Sequence, residues 1–360
     1  MPIILFRSIT YKQEDTQVNQ AFQPSKIAII QTAFIGDVVF TSPLCRALKC
    51  AYPDASLTFV CTPRALDVAR ALPGIDRAIA FDKRGEHCGF WGLRRIANAL
   101  NGPDLVIVPH LSPRSALLAF LSRKSRKNMQ MRIGWSSGPL RPLFTHPVVK
   151  DRSLSFVRRT LACLRPLGME GETPLSLTAP FVEIEKARAI SKIDQGIGLI
   201  IGSERVTKRW PADLFAQLAD AIVQRGQTPV FLGAPNEKII AEEIFATMKH
   251  TQSAINLVGN TIAESMGVIS CLRGVVGGDS GLTHIARALN RPTVVLFGPT
   301  SPAMHDWEIQ ARPISLGLDC QPCHRHGPKQ CPRGDLRCMR LLDIQLVINA
   351  LESLGTLCDG

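Results

Sequence analysis

The chain alternates short, continuously apolar segments with longer amphipathic ones, and the alternation recurs in both halves of its 360 residues. A continuous apolar run of about 4–8 residues is typical of a strand buried on both faces, as in parallel sheets covered by helices. The pattern therefore predicts an α/β protein with two Rossmann-like parallel-sheet domains. The predicted strands are 26–30, 56–61, 77–81, 104–109, 196–202, 228–233, 254–259, 274–279 and 292–298.

Polar residues and Pro180 interrupt this pattern between residues 178 and 192, and we place the domain boundary there. Ligands of open parallel sheets bind outside the carboxyl ends of the strands. Because polar or glycine-rich loops follow strands in both halves, we expect a central cleft that the two domains face. The predicted division is an N-terminal extension (1–25), a first domain (26–185), a second domain (186–342) and a C-terminal helix and tail (343–360).

The segment from residue 275 to 300 has the pattern of a strand, a turn of small residues, a helix and a second strand. Ser280 is placed to cap the helix, and Gly281 would leave the first backbone N–H groups uncovered. Such a helix start favours an anion, above all a phosphate or diphosphate. The alternative is an ordinary capped helix with a buried histidine. The candidate anion-binding residues are Ser280, Gly281, Leu282, Thr283 and His284.

The excess positive charge lies entirely in the first half. Residues 1–180 hold 24 Lys and Arg against 12 Asp and Glu, whereas residues 181–360 hold 18 of each. This asymmetry indicates contact with an anionic surface or substrate, the alternative being a solvated basic loop. With two Tyr, four Trp and no nucleic-acid motif, no nucleic-acid partner is expected. The candidate basic contacts are Arg114, Arg123, Lys124, Arg126, Lys127 and Arg132.

Neither a membrane-spanning nor a secretory segment is expected. No apolar run approaches the roughly 18 residues of a transmembrane helix. The first residues also lack the apolar core and small-residue cleavage pattern of a signal peptide. The sequence therefore predicts a cytoplasmic protein.

Four cysteines cluster in a loop (320–338) rich in Pro, His and Arg. A C-x-x-C pair followed by two further cysteines is typical of tetrahedral thiolate sites for zinc or iron. The irregular spacing leaves a structural metal, free thiols and disulfides as alternatives, and a cytosolic location disfavours disulfides. A catalytic metal is not expected here. The candidate ligands are Cys320, Cys323, Cys331 and Cys338.

Several motifs together resemble the ADP-heptose:lipopolysaccharide heptosyltransferase family, glycosyltransferase family nine. The resemblance runs from about residue 26 to 350 in the family's order. The matching stretches are Ile35-Gly36-Asp37-Val38-Val39 with Thr41 and Pro43, Arg46-Ala47-Leu48-Lys49 with Tyr52-Pro53, Arg132-Ile133-Gly134-Trp135, Lys208-Arg209-Trp210-Pro211, Gly233-Ala234-Pro235-Asn236-Glu237, Gly278 to His284, and Phe297-Gly298-Pro299-Thr300.

The resemblance implies a GT-B fold with the donor nucleotide in the second domain. It also implies an inverting transfer of heptose from ADP-heptose to the lipopolysaccharide inner core, with no catalytic cofactor. The acceptor would be Kdo-lipid A or a heptosylated core, reached at the anionic cytoplasmic face of the inner membrane. The basic candidates above would then contact this acceptor or the membrane surface.

The resemblance also assigns roles to individual residues. Asp37 resembles the family's catalytic base and Lys208 the lysine that contacts the donor phosphates, while Glu237 matches a glutamate at the ribose hydroxyls. Ser203 is placed to add a hydroxyl to the diphosphate, and Asp279 to orient Lys208 or the sugar. The alternatives are a helix cap for Asp37 and Glu237, a solvated lysine for Lys208, and a turn-closing carboxylate for Asp279.

Independent chemistry supports a base and a cation. Displacement at an anomeric carbon needs a group that takes the acceptor proton and a charge that stabilises the leaving diphosphate. Asp37 is the only carboxylate in the loop after the first predicted strand. The rival functions are a protein O-heptosyltransferase, another sugar-nucleotide GT-B enzyme such as a UDP-hexosamine epimerase, and a non-enzymatic basic binding module.

Overall fold

In the computed structural model, residues 22–123 and 130–357 are described, and their strands form two six-stranded sheets. The strands are β1 (Lys26–Ile30), β2 (Ser56–Cys61), β3 (Arg77–Ala80), β4 (Leu105–Val108), β5 (Met131–Trp135), β6 (His146–Val148), β7 (Gly196–Ile200), β8 (Thr228–Leu232), β9 (Ile255–Asn256), β10 (Gly274–Gly278), β11 (Thr293–Leu296) and β12 (Ala311–Ile314).

Both sheets are parallel and share one topology. The first has the order β3-β2-β1-β4-β5-β6 and the second the order β9-β8-β7-β10-β11-β12. Each first strand therefore sits in the middle of its sheet, which is the doubly wound Rossmann order. The predicted α/β class with two Rossmann-like parallel-sheet domains is confirmed.

All nine predicted strands are present, several of them shorter at one or both ends than predicted. The sequence pattern missed β5, β6 and β12. These strands lie toward one edge of their sheets and carry polar residues such as Arg132, His146 and Arg312, which break the continuous apolar signal. An edge strand is covered on fewer sides, so it tolerates this composition.

The helices pack on both faces of the sheets. They are α1 (Ile35–Val39), α2 (Ser42–Ala51), α3 (Leu66–Ala71), α4 (Gly89–Ala99), α5 (Pro113–Leu121), α6 (Phe156–Leu161), α7 (Phe181–Arg188), α8 (Ala212–Gln224), α9 (Lys238–Thr247), α10 (Ile262–Cys271), α11 (Gly281–Ala288), α12 (Arg337–Arg340) and α13 (Ile344–Ser353). Within 22–123 and 130–357, no helix is both long and apolar enough to cross a bilayer. Docking on a membrane surface stays a prediction.

The two sheets meet through α1 and α11, which follow the carboxyl ends of β1 and β10. A Cβ atom on Gly281 would lie 2.9 Å from Ile35 Cγ2, whereas one on Gly36 would lie 3.6 Å from His284 Cδ2. The first turn of α11 therefore packs directly against α1. Because each helix starts at the ligand-binding edge of its sheet, this contact brings the two candidate loops together.

Two elements near the predicted boundaries associate with the second sheet. Helix α7 packs on α10 so closely that a Cβ on Gly267 would meet the Glu183 carbonyl oxygen at 2.3 Å. Helix α13 contributes Val347 and Leu351 to the core of the second half. The predicted division after residue 185 falls inside α7, and the domain bounds stay a prediction. Most of the predicted extension lies outside the described residues.

Candidate active site

Asp279 is the centre of a buried polar cluster directly after β10. Lys208 Nζ donates to its Oδ2 at 2.6 Å and to its carbonyl oxygen at 3.2 Å. The Thr300 hydroxyl donates to Oδ2 at 2.8 Å, and His284 Nε2 lies 2.9 Å from Oδ1. Burial acts to raise the pKa of Asp279, because it disfavours the charged carboxylate. The hydrogen bond from His284 and the charge of Lys208 outweigh this effect and hold that pKa well below its ordinary value.

His284 positions this carboxylate and is itself enclosed. Arg287 Nη1 lies 3.3 Å from His284 Nδ1, and because a guanidinium only donates, Nε2 carries the proton toward Asp279. Burial lowers the pKa of His284, and it lowers the pKa of His305 well below its usual value. The His305 ring stacks on the His284 ring with 4.9 Å between the ring centres. His284 is 3% exposed. The geometry therefore fits the alternative that His284 is a buried histidine. Direct contact between His284 and the donor stays a prediction.

The cluster also holds three potential metal ligands. Ligand atoms of Asp279, His284 and His305 lie within 4.8 Å of one another. Lys208 Nζ already lies 2.6 Å from the same carboxylate, so a cation at this point would face an ammonium group. The arrangement fits the positioning of Lys208 better than the binding of a metal.

Two glycines at the end of β10 make this approach feasible. A Cβ atom on Gly277 would lie 2.5 Å from Thr283 Oγ1, and one on Gly278 would lie 2.6 Å from the Lys208 carbonyl oxygen. Any larger residue would push α11 or the Lys208 loop away from the strand. The glycines thus let Lys208 reach Asp279.

The start of α11 differs from the predicted cap. Ser280 occupies the N-cap position, but its hydroxyl pairs with that of Thr283 at 3.0 Å and caps no backbone N–H. Thr283 is fully buried, while Gly281 and Leu282 are half-buried. Since no side chain caps this turn, its N–H groups retain the capacity to bind an anion.

Asp37 lies in α1, across the contact between the sheets. Its Oδ2 accepts the Phe34 N–H at 3.2 Å, so the predicted capping alternative is present in the structure. Burial raises the pKa of Asp37 against the lowering effects of that hydrogen bond and of Lys150, Lys208 and Arg325. Asp37 and Lys208, from opposite domains, therefore share one electrostatic environment. The sequence pattern missed Lys150, which follows the unpredicted strand β6.

Glu237 and Ser203 lie at the ends of β8 and β7. Glu237 is buried, accepts the Ala234 N–H at 2.8 Å and lies 3.8 Å from Arg209 Nη2. Its carboxylate packs against Gly202, where a Cβ would be 1.7 Å away. The Ser203 carbonyl accepts Arg209 Nε at 2.9 Å. The helix-terminal alternative for Glu237 is thus present, and its contact with a ribose stays a prediction.

The basic candidates separate into different places. Arg132 is 8% exposed and donates to the Leu143 carbonyl at 2.8 Å, which corrects its predicted role as an acceptor contact. Arg114 is exposed at the start of α5 and donates to the Lys83 carbonyl at 2.7 Å. Lys83, which no sequence motif singled out, donates to the Thr32 hydroxyl at 2.8 Å. Lys83 and Arg114 both follow strands, so they lie at the carboxyl edge of the first sheet.

Arg123 lies at the opposite edge of that sheet, between the end of α5 and the start of β5. It stacks over the Phe120 ring at 5.0 Å. Arg123 therefore lies away from the loops that face the second domain, because those loops follow the carboxyl ends of the strands. Its contact with an acceptor or a membrane surface stays a prediction. The rest of the predicted run lies outside the described residues: Lys124, Arg126 and Lys127.

Comparison with known proteins identifies the family. Residues 93–332 match the model of glycosyltransferase family 9 (heptosyltransferase). Lipooligosaccharide heptosyltransferase 2 of Haemophilus ducreyi is 30% identical over 301 residues, which cover 77% of this chain and 84% of that protein. The chain belongs to the heptosyltransferase family. It is therefore a glycosyltransferase, as predicted, and the alternative of a non-enzymatic binding module is excluded.

Solved structures show the same fold. A glycosyl transferase of family 9 from Veillonella parvula superposes with a TM-score of 0.80 at 24% identity, covering 92% of this chain and 97% of that one. The ADP-heptose lipopolysaccharide heptosyltransferase II of E. coli gives 0.72 at 24% identity, covering 91% and 98%. The predicted GT-B architecture is confirmed.

The buried cluster predicts a large stability cost for Asp279→Asn. Removing one charge leaves Lys208 buried without its counter-ion, and breaking a buried pair typically costs about 3–5 kcal/mol. We expect a clear drop in the thermal midpoint. The control Glu185→Gln removes an exposed partner of Arg188 at 2.6 Å and should leave the midpoint nearly unchanged. Equal midpoints for the two variants would contradict a structural role for the cluster.

Proposed function

We propose that this heptosyltransferase-family enzyme transfers heptose from ADP-heptose to the lipopolysaccharide inner core, with inversion at the anomeric carbon. One observation carries the proposal: Lys208 is fixed on Asp279 beside the uncapped start of α11, and Asp37 lies across the α1–α11 contact. The names of its relatives, which include a lipooligosaccharide heptosyltransferase 2 and an ADP-heptose heptosyltransferase, support the donor and acceptor class.

Lys208 and α11 would stabilise the leaving group. An ammonium group has three N–H donors. Those of Lys208 bond the carbonyl and the Oδ2 of Asp279, which leaves one N–H for a diphosphate oxygen. The first N–H groups of α11 and the positive end of its dipole add to this charge. Negative charge that develops on ADP as the glycosidic bond breaks would therefore meet a preorganised site.

Asp37 would act as the general base. The acceptor hydroxyl oxygen attacks the anomeric carbon from the face opposite ADP, and its proton passes to the Asp37 carboxylate. A new C–O bond forms, the bond to the diphosphate breaks, and its electron pair leaves with ADP. Burial raises the pKa of Asp37, which strengthens it as a base, while the positive charges of Lys150, Lys208 and Arg325 act in the opposite direction and lower it.

The proposed mechanism needs no catalytic metal. Lys208 takes the role that a divalent cation plays when it neutralises a departing diphosphate. The Asp279 cluster holds that lysine in place, as its geometry and burial indicate. Transfer should accordingly proceed in the presence of a chelator.

An anionic acceptor would lie at the carboxyl edge of the first sheet. Lys83, Arg114 and Lys150 all follow strands of this sheet, on the same side as Asp37. Arginine suits bidentate contacts with carboxylates and phosphates, and lysine supplies a compact charge. These residues replace the basic run around Arg123 as the proposed acceptor contacts.

Mutation of the two central residues should separate chemistry from donor binding. Asp37→Ala should reduce the rate of transfer about 10²–10⁴-fold, because a base acts in the transition state, and leave ADP affinity unchanged. Lys208→Ala should weaken both turnover and ADP affinity. The measurements are transfer from ADP-heptose to truncated core acceptors, and calorimetric titration with ADP.

Two outcomes would overturn this assignment. Wild-type turnover in Asp37→Ala would place the base elsewhere. Preference for UDP over ADP would favour another sugar-nucleotide enzyme, and transfer to protein acceptors alone would favour a protein O-heptosyltransferase.

The acidic limb of the pH profile should report Asp37. The base acts deprotonated, so kcat/KM falls as pH drops through its raised pKa. Lys150 lowers that pKa, so Lys150→Met should move the limb to higher pH. Lys249→Met, at an exposed position of the second domain, should leave it in place. A limb that moves to lower pH, or moves equally in both variants, would exclude Asp37 as the titrating group.

Arg114 and Arg123 lie at opposite ends of the strands of the first sheet, so their variants test at which end the acceptor binds. Arg114→Ala should raise the KM for the core acceptor and leave ADP affinity intact, because the removed charge lies on the acceptor side. Arg123→Ala, at the other edge, should change neither. Kinetics at varied acceptor concentration provide the measurement, and the reverse ranking of the two variants would restore the basic run as the acceptor contact.

A further inference from the structure

Two aromatic side chains project from the surface of the first domain at the start of α4. Phe90 is 57% exposed and Trp91 is 81% exposed, and their ring centres lie 5.6 Å apart. Water is an unfavourable surrounding for two large apolar rings, each of which buries about 150–250 Å² when it finds a partner. The proposed transfer uses neither ring. An exposed apolar patch of this kind marks an interaction surface.

The loop that precedes these rings is folded into a compact turn. Asp82 Oδ1 accepts the N–H groups of Arg84 at 3.2 Å and Gly85 at 3.0 Å, and the His87 N–H donates to the Asp82 carbonyl at 2.9 Å. A Cβ atom on Gly92 would lie 2.4 Å from the His87 carbonyl carbon, so this turn packs directly on the first turn of α4. The rings are therefore presented on a preformed surface.

Helix α4 has one buried face and one face turned to solvent. Leu93 and Ile96 pack into the core of the first domain. Residues three and four apart share a face of a helix, which places the exposed Arg94 beside Phe90 and Trp91. The outward face of α4 thus combines aromatic rings with positive charge.

Further basic residues surround the rings. Residues 82–95 hold four Lys and Arg against two Asp and Glu. Glu86 is paired with Arg95 at 2.8 Å, so one of the two carboxylates is neutralised locally. Arg84 and Arg94 are exposed. The charge of this surface complements an anionic partner.

The rings lie on the same edge of the domain as the proposed acceptor contacts. Strand β3 ends at Ala80 and α4 starts at Gly89, which places the first turn of α4 at the carboxyl edge of the first sheet. Arg114 Nη1 donates to the Lys83 carbonyl at 2.7 Å and so joins the loop before α4 to the start of α5. Leu111, which follows β4, is also exposed at this edge.

We infer that Phe90, Trp91, Arg84 and Arg94 form a docking surface for an anionic lipid bilayer. Tryptophan is favoured at the level of the lipid headgroups, and arginine binds their phosphates. Shallow insertion of apolar side chains together with basic residues holds peripheral proteins on an anionic leaflet. The inference rests on the proposed function, since a lipid-linked acceptor is what brings the carboxyl edge of the first sheet to a bilayer.

Vesicle binding by the full-length protein tests the docking surface directly. Wild-type protein should sediment with vesicles of phosphatidylglycerol and phosphatidylethanolamine that contain no acceptor, and this binding should weaken as salt rises. Phe90→Ala combined with Trp91→Ala should reduce the partition coefficient about tenfold or more, and Arg94→Ala about fivefold. The control Phe181→Ala, at a phenylalanine of α7 that is 72% exposed, should bind as the wild type does.

Tryptophan fluorescence reports whether the exposed ring enters the bilayer. Trp135 and Trp210 are each 2% exposed and Trp307 is half-buried, so Trp91 is the indole whose surroundings change most. Its emission should shift to shorter wavelength when vesicles are added, because the ring leaves water. Trp91→Phe should remove the shift and leave ADP affinity unchanged.

Two forms of the acceptor separate docking from transfer. The Phe90 and Trp91 double variant should raise the KM for an acceptor embedded in vesicles about tenfold, and turnover of an acyl-free core acceptor should stay within about twofold of the wild type. An equal loss with both acceptors would place the rings in the transfer site and overturn the docking surface. Absence of transfer by wild-type protein that binds vesicles would overturn the proposed function and leave the docking surface supported.

Three further results would contradict the docking surface. They are wild-type protein that stays in solution beside anionic vesicles at low salt, equal vesicle binding by the double variant and the wild type, and a dimer that the double variant dissociates. The last result would make the patch an interface between two copies of the chain. The wild-type partition and emission shift require no variant, so a variant that fails to fold does not remove the test.

Discussion

The buried pair between Lys208 and Asp279 is the interaction on which the site depends. A lysine ammonium that leaves water must gain a carboxylate and further hydrogen bonds, or its burial is strongly unfavourable. Asp279 meets this need because His284 and Thr300 hold it in one orientation. The glycines at the end of β10 serve the same pairing. The loop that carries Lys208 must contact the backbone of β10, and only glycine leaves room for this approach.

Three parts of the chain meet around this pair. The contact between α1 and α11 brings Asp37 from the first domain, and the cysteine loop packs on Lys208 from the other side. The cations around Asp37 therefore come from both domains: Lys150 from the first, and Lys208 and Arg325 from the second. A base and a leaving-group site built in this way would form only when the two domains are docked.

Several residues serve in two ways, and sequence patterns could not choose between them. Asp37 caps its own helix and also lies partly buried among cations, so the capping and base interpretations are compatible. Glu237 likewise closes a turn while it faces Arg209. The basic residues show the opposite case. Arg123 begins the densest basic run of the sequence and Arg132 follows that run. Yet Arg132 is buried, and Arg123 lies at the amino-terminal side of the sheet, away from the ligand loops.

The sequence alone determined the α/β class, nine of the twelve strands that the described residues form, and the loops that hold Asp37, Lys208 and Asp279. Buried parallel strands have a strong apolar signal, and ligand loops follow their ends. Only the tertiary structure decided which side chains meet. It joined Lys208 to Asp279 across 71 residues, enclosed His284, and gathered four cysteines around one cavity. Such contacts depend on strand order and helix packing, which local patterns along a chain do not encode.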